Sequence, residues 1–536
     1  FWMTEDAAQK VGRTEKMGLV GAISYIIGNI VGSGIFITPA TIVGLVSSVG
    51  LSLVVWLLSA FIATLGAFCY VELGTSIRKS GADFAYLCYV KWYPIAFAFM
   101  CTGCIIIYPA TLAIQADTFS EYVFKGINIT MESDTQLLFA KKLTGFSLIW
   151  LLLFLNFFSL KTFVSRFNIV ASIAKIAATA LVIVTGLYYL FFKGMTANIT
   201  DPFGGSTFAV GTFVSALFSG LYSYDGWDIL NFGAEEIENP KRTMPLAIVF
   251  GMTFIALLYL LVNFAYFIVI PIPEMLASPA VAQTFGDLTL GSFSFVIPVF
   301  VALLLIGSLN STMFSASRYL QAAAKQGHLP SCISCINPIS DSPRVALLVH
   351  VLLAMGISFA GDLNQLINYV SFSQWSQRGC TMAALIYIRF THKPVHPDRI
   401  QTFILLPILF CLICWTLVVV TIVDSFDVSV VGIAIVLCGF VFFFLFIFEK
   451  SLPAIPAYRN GSRKVNEAVT IWSQIIFNVM PELDFGEEED GDKLADNLHK
   501  VYPEVPALEA SIDGDVKRRS SAFSHTTQST DTSTRF

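Results

Sequence analysis

Apolar residues in this chain gather into long runs rather than alternating along strands or striping one face of short helices. Twelve such runs lie near residues 17–41, 50–72, 92–118, 144–160, 165–192, 209–232, 244–271, 291–320, 344–360, 364–390, 401–423 and 428–449. A helix that crosses a bilayer needs roughly 20 mostly apolar residues, so each run reads as one span. The period-two alternation in ten-residue segments that marks a membrane barrel is absent from the sequence. The pattern predicts an all-α integral membrane protein with twelve transmembrane helices. Gly, Pro or polar residues interrupt the first, third and sixth runs, so each is a candidate for a broken rather than a straight helix. The first run follows a charged segment and is too long for a cleavable signal peptide.

Composition supports a membrane class. Hydrophobic residues make up 55% of the 536 and charged residues 13%, against about a quarter charged in soluble domains. Residues 451–536 hold 9 of the 32 Lys and Arg and 14 of the 37 Asp and Glu, so the net charge of −5 belongs to this tail. The chain therefore divides into a cytosolic N-terminal segment 1–16, a twelve-helix domain 17–450 and a cytosolic tail 451–536, disordered toward its end. Most Lys and Arg fall on one side if the N-terminus is inside: Lys10, Arg13, Arg78, Lys161, Lys241, Arg344, Arg389 and Lys450 among them. That bias predicts two cytoplasmic termini. The sequons at Asn128 and Asn198 then fall in outer loops, where glycosylation is expected. In the tail, Arg518-Arg519-Ser520-Ser521 reads as a basophilic kinase site at Ser521 or as a plain basic patch. Thr534-Arg535-Phe536 reads as a PDZ ligand, a hydroxyl two places before an apolar terminal residue. Ten Cys and six His show no paired CxxC framework, so neither a disulfide scaffold nor a structural zinc site is expected. Of the pairs Cys101/Cys104, Cys332/Cys335 and Cys411/Cys414, only the middle one sits in a loop.

The first interruption is Gly28-Asn29-Ile30-Val31-Gly32-Ser33-Gly34-Ile35-Phe36. Each glycine costs a helix about 1 kcal/mol relative to alanine. Unwinding there frees backbone amides at the positive start of the following half-helix, a natural seat for a carboxylate. The carbonyls of Ile30 and Val31, ending the other half, can accept from an ammonium. Close packing through small residues is the alternative reading. The second interruption, Ser219-Gly220-Leu221-Tyr222-Ser223-Tyr224-Asp225-Gly226-Trp227, comes five spans later. Matching breaks in spans 1 and 6 are the mark of two inverted five-helix repeats with a site between them.

With these segments, Glu72-Leu-Gly-Thr75, Lys79-Ser-Gly81, Glu235-Glu236 before Asn239-Pro240, and Gly327-His-Leu-Pro330, the chain resembles the L-type amino acid transporters over residues 16–490. These are the light chains of heteromeric exchangers in the amino acid–polyamine–cation superfamily. The closest likeness is to the light chain that exchanges cystine and dibasic for neutral amino acids. The resemblance implies a LeuT-like 5+5 inverted repeat with helices 1 and 6 broken. It implies a substrate α-carboxylate on the amides of Ser33, Gly34 and Ile35. The α-ammonium would lie on the carbonyls of Ile30, Val31 and Tyr222, with the Tyr222 ring as a gate; one more bundle aromatic is the plainer reading of Tyr222. Light chains of the family carry a cysteine in the outer loop after span 3. Residues 119–143 have none, so a disulfide-linked heavy chain is not expected, while non-covalent association stays open.

Ionisable residues at membrane depth are costly and therefore functional candidates. By the resemblance, Lys175 takes the place of a sodium ion in coupled relatives; a snorkelling lysine is the alternative. Asp225, near the second break, is a candidate for admitting cationic substrates, or for capping a half-helix. Arg378, in Ser373-Gln374-Trp375-Ser376-Gln377-Arg378, faces an aqueous vestibule or lies near an interface, and its charge opposes the selectivity reading of Asp225. No nucleophile–base pair is evident, and neither a cofactor nor a metal is expected. The expectation is a sodium-independent amino acid exchanger of the plasma membrane, taking neutral and, through Asp225, cationic substrates. An amino acid sensor on the same fold, or a proton-coupled symporter, is the alternative.

Overall fold

The computed structural model describes residues 18–481 except 78–81, 128, 130, 132, 159–160, 232–236, 338–339, 341, 398 and 449, and leaves aside the side chains of 161–169. By internal contacts residues 1–481 form one unit and 482–536 a second, which lies outside the described residues. Among the described residues regular structure is helical, with a lone antiparallel bridge between Ile336 and Met480.

The first span is broken. Helix α1 (Leu19–Ile30) and helix α2 (Gly34–Val46) meet at an angle of 52° across Val31–Ser33. Helix α3 (Val49–Ser76) follows, then the short α4 (Ala82–Tyr89). The third run is not broken, contrary to the sequence expectation. Helix α5 (Tyr93–Thr102) passes through one π-helical turn, Gly103–Ile107, into α6 (Tyr108–Ile127), giving a 35-residue span. The wider π turn takes up the irregularity that Gly103 and Pro109 introduce, so the axis is bulged instead of interrupted.

Helices α7 (Asp134–Phe157) and α8 (Lys161–Phe191) complete the first five spans. The sixth begins as α9 (Val210–Ser223) and gives way to turns at 224–228 and a 3-10 turn, Ile229–Asn231. Next come α10 (Pro240–Val269), the short α11 (Ile272–Ala277) and α12 (Val281–Thr289), and the long α13 (Val296–Lys325). Helices α14 (Arg344–Ile357), α15 (Leu363–Phe390), α16 (Leu405–Asp424) and α17 (Phe426–Phe442) close the bundle, and α18 (Pro456–Phe477) follows it.

Among the described residues eight continuous helices are long and apolar enough to cross a membrane, and the α1–α2 pair makes nine. Helices α9 and α14 are apolar but shorter. Helix α15 has 28 residues, yet Ser373, Gln374, Ser376, Gln377 and Arg378 dilute its apolar character. With these three the twelve predicted runs are all accounted for.

Burial is inverted relative to a soluble protein. Phe250, Phe254 and Leu257 on α10 and Leu412, Val419 and Val423 on α16 are exposed, whereas Glu72, Asn263 and Arg378 are buried. Apolar side chains facing outward along whole helices require a lipid solvent, and Glu72 and Arg378 find their charge partners within the bundle.

Candidate substrate site between the broken helices

The two interruptions lie side by side. Gly34, the first residue of α2, packs so tightly on α9 that a Cβ there would stand 2.5 Å from Ser223 Cα. This contact, which only glycine permits, brings the α2 N-terminus to the C-terminus of α9. The hydroxyls of Thr38 and Ser223 are 2.8 Å apart across it. Asn29 Nδ2 donates to the Gly226 carbonyl at 2.9 Å, and Gly226 has φ +97°. A side chain there would be strained and would collide with Asn29.

At the start of α2, Ser33 makes no side-chain cap. A helix leaves its first amides without internal partners, and those here belong to the Ser33–Ile35 segment that the sequence singles out. All three residues are buried. On the opposite side, Tyr259 of α10 donates its hydroxyl to the Ile30 carbonyl at 2.9 Å and to the Ser223 carbonyl at 3.1 Å. One phenol thus ties the ends of both unwound segments. The Tyr222 carbonyl accepts from the Asp225 amide at 3.2 Å. Each of these carbonyl oxygens has a second lone pair with which to accept from an ammonium. Val31 is buried at the break between them.

The Tyr222 side chain is buried in a cluster with Ile37, Ile107, Ile114, Ile367 and Val370. It therefore forms part of a wall drawn from α2, α6 and α15, with the Ser33 side chain as its hydrogen-bond partner. Further along the same half of the bundle, Thr41 donates to Asn364 at 2.9 Å and Tyr122 to the Phe36 carbonyl at 3.0 Å. These bonds fix α2 against α15 and α6.

Lys175 of α8 reaches the first break, donating to the Gly28 carbonyl at 3.0 Å. Its ammonium thereby sits on an α1 carbonyl that a half-helix would otherwise leave unsatisfied, a position suited to a fixed cation. The buried, unpartnered hydroxyl of Ser308 on α13 also faces Gly32.

Asp225 and Arg378 meet. An Arg378 guanidinium nitrogen is 2.5 Å from Asp225 Oδ1, and Gln374 donates to Oδ2 at 3.0 Å. Arg378 is buried between the rings of Trp227, 4.7 Å away, and Trp375, 5.1 Å away. It is buried within the bundle, while its partner Asp225 stays partly exposed. The planar guanidinium is held by two aromatic faces and one carboxylate, an arrangement a lysine would not reproduce. The charge of Asp225 is thus already compensated.

Sequence reading placed the two breaks but missed Tyr259, Asn29 and the tryptophan pair. Tyr259 gave one faint signal, as one of a few polar tips, with Asn263 and Tyr266, inside an otherwise apolar run. Among the other candidates, Asn198 is described, its amide donating to the Ile268 carbonyl at 3.3 Å. Asn128, Ser521, Thr534 and Phe536 lie outside the described residues.

A twelve-span bundle with its first and sixth spans unwound at one level defines a class of solute carriers, and sequence comparison gives the family. The pattern of the amino acid permease family matches residues 17–474, and the chain belongs to that family. It is a transporter and not an enzyme. Over 94% of its length it is 61% identical to amino acid transporter protein 6 of Caenorhabditis elegans, covering 95% of that protein. It is 36% identical to the human cystine/glutamate transporter, over 89% of this chain and 93% of that one. To the b(0,+)-type amino acid transporter 1 of Rattus norvegicus it is 35% identical, over 87% and 93%. The resemblance drawn from the motifs holds.

Proposed function

We propose that the chain is a sodium-independent exchanger of neutral L-amino acids in the plasma membrane, working by alternating access with both termini cytoplasmic. The substrate carboxylate rests on the amides of Ser33, Gly34 and Ile35. Its ammonium rests on the carbonyls of Ile30, Val31 and Tyr222, and the Tyr222 ring gates the site. The reading is carried by the apposition of the two breaks, one ending in a helix N-terminus and the other in a helix C-terminus, 2.5 Å apart at Gly34 and Ser223 by the measure of an added Cβ. A zwitterion has the complementary pair of charges. The Lys175–Gly28 contact supports sodium independence, because a fixed ammonium does the work of a bound cation.

The Asp225–Arg378 pair sets the side-chain preference. A neutral side chain leaves the pair intact. A cationic one gains Asp225 only by displacing Arg378 from it, so cationic substrates are admitted but second in rank. The test is uptake of labelled leucine, arginine and glutamate by cells expressing the chain, preloaded or not, with and without sodium. Leucine uptake that needs internal amino acid and ignores sodium is expected, with arginine slower. Uptake driven by a sodium or proton gradient in unloaded cells would overturn exchange. Binding without movement would make the protein a sensor. Glycans at Asn128 and Asn198, a phosphate at Ser521 and a PDZ partner at Thr534 and Phe536 are proposals from sequence for the outer loops and the tail.

A further inference from the structure

Helix α18 is amphipathic in an unusual sense, because its polar side is the one packed on the protein. Asn466 exchanges hydrogen bonds with Ser331, its side-chain amide donating to the hydroxyl at 2.8 Å and its oxygen accepting from the backbone amide at 2.9 Å. Ser473 is buried beside Cys332. Arg344 donates to the Phe477 carbonyl at 2.7 Å, and Asn337 to that of Asn478 at 2.6 Å. The exposed charges Arg459, Arg463, Lys464 and Glu467 lie in the part of α18 up to Glu467, and most residues exposed after it are apolar. Val465, Val469, Trp472, Ile475 and Ile476 recur at helical spacing, and Trp472 is 65% exposed, Ile475 70% and Ile476 66%. At 100° per residue they sweep an arc of roughly 160° with Ile471 at its edge.

We infer that α18 lies in the plane of the membrane as an anchor, its apolar arc sunk into the anionic cytoplasmic leaflet. The inference rests on the proposed cytoplasmic placement of the tail. Two observations choose lipid over a protein partner. First, the arc continues the lipid-facing surface of the bundle: Phe446, exposed at the end of the twelfth span, packs on Tyr458 at the start of α18, ring centroids 6.4 Å apart. Second, the charge is complementary. Arg459, Arg463 and Lys464 stand against Glu467 alone on this helix, and Lys464 falls near the edge of the apolar arc, between Ile471 and Ile475, where its stem can snorkel to the headgroups. A Trp within the arc is suited to the headgroup boundary. Because the polar face holds Ser331 and the segment just after the helix makes the Ile336–Met480 bridge, a membrane-bound α18 also pins the loop between α13 and α14 to the bilayer surface.

The test uses the full chain in nanodiscs, with tryptophan emission quenched by phosphatidylcholine brominated either near the glycerol or near the chain ends. Among the described residues Trp150, Trp415 and Trp472 are the exposed tryptophans, so W472F should lose about a third of the quenching by the shallow bromine and little by the deep one. Adding phosphatidylserine should increase the share that W472F removes. Quenching identical in W472F and the wild type would overturn the anchor, as would a Trp472 shielded from both bromines, the result if a second copy covered the arc. A share indifferent to phosphatidylserine would overturn the anionic preference. Leucine exchange measured in the same W472F preparation keeps a folding defect separate from lost insertion, and it should be unchanged.

Discussion

At the scale of single residues the site depends on missing side chains as much as on those present. Gly34→Ala places a methyl against Ser223 backbone, which cannot rotate aside. We expect G34A to abolish leucine uptake while G28A, whose added Cβ meets nothing within 4 Å, retains it. Equal uptake by the two variants would disprove the close approach. The Asp225–Arg378 pair is a second residue-scale test. Breaking a buried pair costs about 3–5 kcal/mol, and here the lower figure applies because Asp225 keeps some solvent access. R378L should therefore lower the melting temperature in detergent and shift uptake from leucine toward arginine. D225N should lower both arginine uptake and stability, and D225N/R378L should recover much of the stability. If arginine and leucine change in parallel in every variant, the pair is structural and does not select.

At the scale of elements, the unwound segments are held by groups that come from other helices. Lys175 from α8 satisfies Gly28, and Tyr259 from α10 satisfies both Ile30 and Ser223. Lys175→Met removes the ammonium and keeps the length of the side chain. We expect at least a tenfold loss of uptake, about 1.4 kcal/mol or more, with normal surface delivery; sodium-stimulated uptake in K175M would mean that the lysine had been excluding the ion. Tyr259→Phe leaves the ring packed against Trp56 and Tyr224 but frees two buried carbonyls, so it should weaken leucine affinity more than it lowers protein yield. An unchanged half-saturation concentration would show that the hydroxyl does not organise the site.

The whole molecule shows which features are local enough to be read from a chain. Spans are local, since twenty consecutive apolar residues declare themselves, and all twelve runs recur as helices. The two breaks were legible because glycine and serine at mid-span contradict the surrounding pattern. The third run misled, because a π turn and a full break have the same signature of glycine and proline. The partners of Asp225 were illegible for another reason: Arg378 is 153 residues away, and nothing near either residue announces the other. The same distinction bears on the tail. Residues 1–481 close as one unit of contacts, with α18 held within it by Asn466, Asn478 and Phe477, and we expect transport to proceed without the residues beyond Pro481. Truncation after that residue should leave exchange per surface molecule within about twofold, a difference of under 0.5 kcal/mol, while altering how much protein reaches and stays at the surface. Truncation before Pro456 removes α18 and its grip on Ser331, and should cost stability as well. If truncation after Pro481 also lost turnover per molecule, the tail would be part of the transport cycle, and the division of the chain at Pro481 would be one of contacts alone.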